Sequence, residues 1–166
     1  MKIINEIKLA VPAEQAWKII GEQYGDAAQW TSVLEASSLI GELGVGAIRT
    51  CHSRAVGPFP ASIVEERLTM FEPANYRLTY VAEKGLPGIF KKATNAWSIQ
   101  PVDHNSCVVT SRAELKISVW LFPVKWIFPI LISRDLKKVF EELQYYIERG
   151  KFHPRKIQSK LEPAKS

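Results

Sequence analysis

Between residues 34 and 117 six segments alternate apolar and polar side chains, and the segment after them switches to a helical period. The six are Leu34–Leu39, Ala47–Arg54, Ala61–Phe71, Tyr76–Ala82, Lys92–Gln100 and Ser106–Ile117. Residues two apart on a strand share a face, so each segment predicts one buried side and one solvated side. The separators Gly41–Gly46, Gly57–Pro60, Pro73–Asn75, Gly85–Gly88 and Pro101–Asn105 are rich in turn residues. Successive strands joined by such short links predict an antiparallel meander.

The flanks complete the pattern. Residues 3–11 put Ile3, Ile7, Leu9 and Val11 on one face of a further strand, with Asn5 on the same side. Pro12 suits a helix start, where its missing N–H costs nothing. Ala16, Trp17, Ile19 and Ile20 then form a short helical apolar patch that ends near Gly21–Gly25. A second short helix is expected over Asp26–Thr31, with Asp26 as its cap. After the strands, Ile132, Leu136, Val139, Phe140, Leu143 and Ile147 recur at three and four, one stripe of a long helix stopped at Gly150. With no repeat and no long linker, the 166 residues predict one domain over 1–150 and a basic tail over 151–166.

Two strands carry a charge on the apolar side. Glu66 shares a face with Val64, Leu68 and Met70, and Arg49 shares one with Ala47, Cys51 and Ser53. A charge on a buried face is costly unless paired. On the other strands the inner sets are Tyr76, Leu78, Tyr80 and Ala82, then Ala93, Asn95, Trp97 and Ile99, then Cys107, Val109, Ser111, Ala113 and Leu115. Large aromatics, small residues and isolated polar groups on one surface suit a cavity more than a solid core. Arg49 and Glu66 admit two readings: a structural ion pair that closes the sheet, or a site. In the second, Arg49 holds a carboxylate, enolate or phenolate oxygen through its planar fork, and Glu66 orients it or acts as a general base.

Other features narrow the function classes. Lys and Arg total 22 against 17 acidic residues, a net charge of +5, and much of the excess lies after residue 150. The plain reading of that segment is a solvated tail; the alternative is attraction to an anionic surface. No basic stripe interleaved with aromatics runs through the body, so nucleic acid is not an expected partner. The cysteines Cys51 and Cys107 match no metal spacing, and His52, His104 and His153 have no ligand-spaced neighbours, so no metal is expected. No P-loop, GxGxxG or GxSxG motif points to a cofactor or a nucleophile. The opening MKIINEIKLAV alternates like a strand instead of reading as a leader, and reduced cysteines in a cytoplasmic protein are the expectation. Val119–Ile132, with Pro123, Lys125 and Pro129, is too short for a membrane span. It reads as an aromatic bend into the long helix, or as a pocket rim in which Trp120, Phe122, Trp126 and Phe128 touch lipid.

The element order, with Val11-Pro-Ala and Trp17 in the first helix, Trp30 after the second, Gly44-Val-Gly-Ala-Ile-Arg49, Glu65-Glu-Arg-Leu68, and Tyr76 and Tyr80 before Gly85-Leu-Pro87, resembles the START/polyketide-cyclase (SRPBCC) superfamily in its bacterial cyclase/dehydrase-like branch. The resemblance spans residues 1–150. It implies an α+β helix-grip fold of the START and birch-pollen-allergen type: a seven-stranded antiparallel sheet wrapped around a long C-terminal helix, with two short helices after the first strand. It also implies a hydrophobic small molecule (lipid, polyketide or aromatic compound) held between sheet and helix. The residues expected to contact it are Arg49, Glu66, Tyr76, Leu78, Tyr80, Phe90, Asn95, Trp97 and Trp126. The alternatives are a cyclase or dehydratase-type enzyme with Arg49 and Glu66 as catalytic candidates, and a membrane-associated lipid or quinone chaperone using Val119–Ile132 and the tail.

Overall fold

The computed structural model describes residues 1–55, 59–117 and 127–162, with the backbone path alone for residue 117 and residues 127–131. Seven strands form one antiparallel sheet in the order β1-β7-β6-β5-β4-β3-β2. They are β1 (Lys2–Leu9), β2 (Leu34–Ile40), β3 (Ile48–Ser53), β4 (Ser62–Glu72), β5 (Arg77–Lys84), β6 (Phe90–Asp103) and β7 (Ser106–Ile117). Consecutive strands pair from β2 to β7, as short links dictate, and β1 closes onto β7 in register from Lys2 opposite Glu114 to Leu9 opposite Cys107. The two edge strands are therefore consecutive in sequence, and the chain between them crosses the open side.

That crossing consists of α1 (Ala13–Trp17), a π-helical turn over Lys18–Glu22 and a 3-10 helix over Tyr24–Gln29. Asp26 lies inside the last of these at φ −101° and ψ 20° and caps nothing, contrary to the expected start. The helix begins earlier because Tyr24 and Gly25 are drawn inward. Tyr24 is buried, and a Cβ on Gly25 would stand 2.8 Å from that of Leu39 on β2. A Cβ on Gly21 would meet the Trp17 ring at 2.4 Å, so both glycines are sites of close approach.

Two register shifts bend β4 against β5, one between Glu65 and Glu66 and one between Leu68 and Met70. Such bulges increase local twist and re-aim side chains. β5 begins at Arg77, one residue later than its alternation predicts, because Tyr76 is left-handed at φ 51° and closes the Pro73–Asn75 turn.

The long helix α2 (Ile127–Arg149) lies in the curve of the sheet, and Gly150, at φ 61°, donates its N–H to Tyr146 O as the terminator. The segment expected as a solvated tail instead folds into α3 (Pro154–Leu161), with His153 Nδ1 accepting from the Arg155 N–H at its start. Arg155 Nε donates to Glu142 Oε1 at 2.9 Å, and Lys156, 2% exposed, donates to Leu34 O. Glu142 is fully buried and also accepts from Thr31 Oγ1, Ser32 N and Ser32 Oγ. A buried carboxylate with that many donors fixes α2, α3 and the 31–34 turn together.

Packing changes along the strands. At one end Leu9, Trp17, Leu68, Leu78, Ile99, Val109, Leu143 and Ile147 form a continuous apolar core. Trp17 contacts Phe71 and Tyr76 there, with ring centroids 5.5 and 6.0 Å apart. Towards the other end the same strands and α2 enclose a cavity of about 370 Å³. Cys51 and Cys107 are both buried and free.

Candidate functional site

Arg49 and Glu66 are direct cross-strand partners on β3 and β4. The Arg49 Nε–H donates to Glu66 Oε2 at 2.8 Å, and Nη2 donates to the same oxygen. Nη1 donates to Tyr24 O at 2.9 Å. The guanidinium carbon lies 4.0 Å from the Tyr24 ring centroid and 4.9 Å from that of Tyr80, so two aromatic faces flank the cation. Burial works against its charge, yet Glu66 beside it holds the guanidinium well above the ordinary arginine range. Arg49 and Glu66 thus form a buried ion pair.

The groups around it are neutral donors. Burial, reinforced by Glu66, pushes the Cys51 thiol up to about 12, and that thiol contacts Glu66 Oε2 at 3.6 Å. Burial likewise raises the Tyr24 and Tyr80 phenols above their usual range. Cys51 is accordingly a thiol and not a thiolate nucleophile at neutral pH.

A second polar line crosses β5, β6 and β7. Tyr80 pairs with Asn95 in register, and Trp97 pairs with Ser111. Ser111 Oγ donates to Asn95 Oδ1 at 2.7 Å, and Asn95 Nδ2 donates to the Tyr80 hydroxyl oxygen at 3.1 Å. Tyr80 is an acceptor in this line, and among the described residues no bond donated by its own O–H is found. The Glu66 Oε1 atom accepts no hydrogen bond among the described residues, all its contacts being through Oε2.

The remaining wall is apolar. Trp97 stacks on Phe140 of α2 at 5.3 Å and 7°, tying the sheet to the helix. Ile132, Leu136 and Val139 continue that side, Ala93 and Ala113 give room, and Leu86 enters from the β5–β6 loop. A mostly apolar cavity with polarity gathered at one place is the usual make-up of a small-molecule site.

Of the residues singled out in the sequence, Arg49, Glu66, Leu78, Tyr80, Asn95 and Trp97 come together on this wall. Tyr76 lies off it, against Trp17 at the packed end, because its left-handed backbone precedes the strand. Phe90 also lies off it, with its ring 5.6 Å from that of Phe59. Trp126 falls outside the described residues. Sequence reasoning missed Tyr24, whose nearest signal was an aromatic beside Gly25 in a segment read only as a helix end. It also left Leu136, Val139 and Phe140 as core, since a helical stripe looks the same whether it faces side chains or space.

A curved antiparallel sheet gripping a C-terminal helix, with a lined cavity between them, defines a ligand-binding domain of the START and birch-pollen-allergen type. The family follows from the sequence: the model described as polyketide cyclase / dehydrase and lipid transport matches residues 2–148, and the chain belongs to that family. Solved structures share the fold. A START superfamily protein from Mycobacterium smegmatis superimposes with a TM-score of 0.74 at 14% identity, over 90% of this chain and 99% of that one. Norcoclaurine synthase from Thalictrum flavum, solved with dopamine and hydroxybenzaldehyde, gives a TM-score of 0.67 at 17% identity, over 92% of this chain and 89% of that one. Ara h 8.0201 gives 0.66 at 13% identity, over 89% and 97%. No curated protein matches the chain. Among the described residues there is no cluster of His, Cys, Asp or Glu that could hold a metal, and no helix long and apolar enough to cross a membrane.

Proposed function

We propose that this protein binds a hydrophobic small molecule in the cavity between sheet and α2, with the molecule's polar end toward Arg49, Glu66, Tyr80 and Asn95. The observation that carries the reading is the sorting of the wall. Trp97, Phe140, Leu136 and Val139 make one side apolar, while the charged pair and the Ser111–Asn95–Tyr80 line gather polarity on another. A volume of about 370 Å³ lies within the roughly 300–1,000 Å³ usual for ligand pockets. Since Glu66 already neutralises Arg49, a ligand hydroxyl or carbonyl suits that end better than a second carboxylate.

The test is titration with the fluorescent probe anilinonaphthalene sulfonate, alongside native mass spectrometry of gently purified protein. Trp97→Ala and Tyr80→Ala should each weaken probe binding by about tenfold, from lost aromatic contact. Equal affinity in parent and both variants would refute the site. A cyclase or dehydratase-type enzyme is the second reading. It is favoured by the open Oε1 of Glu66, a base within the cavity, next to a cation able to stabilise an enolate. Turnover unchanged in Glu66→Gln would remove it.

A further inference from the structure

Helix α3 is inside out. An amphipathic surface helix turns its apolar side chains inward, but here the inward residues are Arg155, on Glu142 and Glu141, and Lys156, on Leu34 O. The outward residues are Ile157, 50% exposed, and Leu161, 80% exposed, one turn apart on the same face. Phe152 joins them at 39% exposure, with Lys160 Nζ 3.9 Å from its ring centroid. Single exposed apolar residues are ordinary; two on a short helix whose cations were drawn under it, with a third just before its start, are not.

The surroundings are basic. From residue 149 onward the sequence has six Lys or Arg residues and one Glu. Arg149, Lys151 and Lys160 are exposed, and Lys160 stands at the apolar face beside Phe152. Arg54, whose Nη1 reaches Glu162 O, has a buried Nε with no partner. Burial and then the like charges of Lys160 and Arg54 push Lys156 down to about 8, against the opposing pull of Glu142. Apolar side chains projecting from a cationic border are the two elements that seat a helix in the interface of an anionic membrane.

We infer that α3 is a docking face for an anionic lipid surface, with Ile157, Leu161 and Phe152 entering the acyl boundary and Lys160, Lys151 and Arg149 meeting the headgroups. Its position gives the docking a purpose, which rests on the ligand-binding reading above. The inner side of α3 packs on the turn that supplies Thr31, Val33 and Leu34 to the cavity wall, and its end meets Arg54, next to the lining residue Ser53. Docking therefore sets one end of the cavity against the lipid from which an apolar ligand would come.

Flotation of the full chain with vesicles tests this, using phosphatidylcholine alone and phosphatidylcholine with about a third phosphatidylserine. The parent should float with the anionic vesicles, less so as salt rises, and hardly at all with the neutral ones. The pair Ile157→Ser with Leu161→Ser should lower partitioning by about tenfold, and Lys160→Glu by about tenfold or more. All three positions are exposed and none lines the cavity, so the thermal melt and any small molecule retained in native mass spectrometry should be unchanged, which separates failure of docking from failure of the cavity. A parent that ignores anionic vesicles, or a double serine variant that floats like the parent, overturns the inference. A concentration-dependent dimer abolished by the same two serines would also overturn it, assigning the face to a second copy.

Discussion

Replacing Arg49 by Met takes the cation out of a buried pair and leaves the anion behind. The two side chains are 10% and 16% exposed, so neither charge is well hydrated where it stands. The substitution removes both donors to Glu66 Oε2, the bond to Tyr24 O and the contact with two rings. Among the described residues the Cys51 thiol is then the one donor left at that oxygen, at 3.6 Å. Removing one member of a buried pair costs about 3–5 kcal/mol. Glu66 faces a cavity that can admit water, which sets the expected loss near the lower end, about 3 kcal/mol. Glu66→Gln should cost less, about 1–2 kcal/mol, because Arg49 keeps Tyr24 O and both aromatic faces. Combining Arg49→Met with Glu66→Leu removes both charges and should restore stability to within about 1 kcal/mol of the parent. Urea denaturation with linear extrapolation measures all three, with unchanged m-values confirming that the same surface unfolds. A loss below about 1 kcal/mol for Arg49→Met would refute the reasoning, as would a double variant no more stable than the single.

The Cys51 contribution to stability should fall as pH rises above the ordinary thiol value of 9.0, because the unfolded chain then releases the proton that the folded chain holds up to about 12. Tyr24 and Tyr80, also raised by burial, act in the same sense at higher pH, while Lys156, pushed down to about 8, opposes them below its ordinary 10.5. Comparing Cys51→Ala with the parent isolates the thiol: the variant should lose less stability between about pH 9 and 11, and parallel curves would exclude the buried thiol as a cause. Gly85→Ala should destabilise by at least about 2 kcal/mol. The residue sits at φ 75° and its new Cβ would fall 1.6 Å from Ile63 O; a thermal melt within a degree or two of the parent would show that the β5–β6 turn has another conformation.

Strand positions and inward faces were legible in the sequence because alternation carries both at once. Arg49, Cys51, Glu66, Tyr80, Asn95, Trp97 and Ser111 all lie on the faces that periodicity assigned them. The pairing of Arg49 with Glu66 was suggested by cost alone, since two charges on inner faces need partners. What lay beyond reach depended on local backbone geometry or on distant packing. No alternation rule announces the left-handed Tyr76. The basic tail read as solvated because cations are assumed to seek water. The fully buried Glu142, more than 100 residues from Thr31 and Ser32 in sequence, lies off the apolar stripe of α2, where a carboxylate is ordinarily expected in water. The partner that makes its burial tolerable, Arg155, is contributed by that tail.

Each central strand runs from a packed end to a hollow one, and this separates two kinds of selection within a few residues. On β6, Ile99 belongs to the core, while Trp97, Asn95 and Ala93 face the cavity; on β7, Cys107 and Val109 precede Ser111, Ala113 and Leu115 in the same way. Substitutions at 93, 95, 111 and 113 can reshape the cavity without entering the cluster that folds the sheet onto α2. A lineage, or an engineer, can therefore change the shape and polarity of the cavity by rewriting alternate letters in one half of a strand, while the other half keeps the scaffold standing.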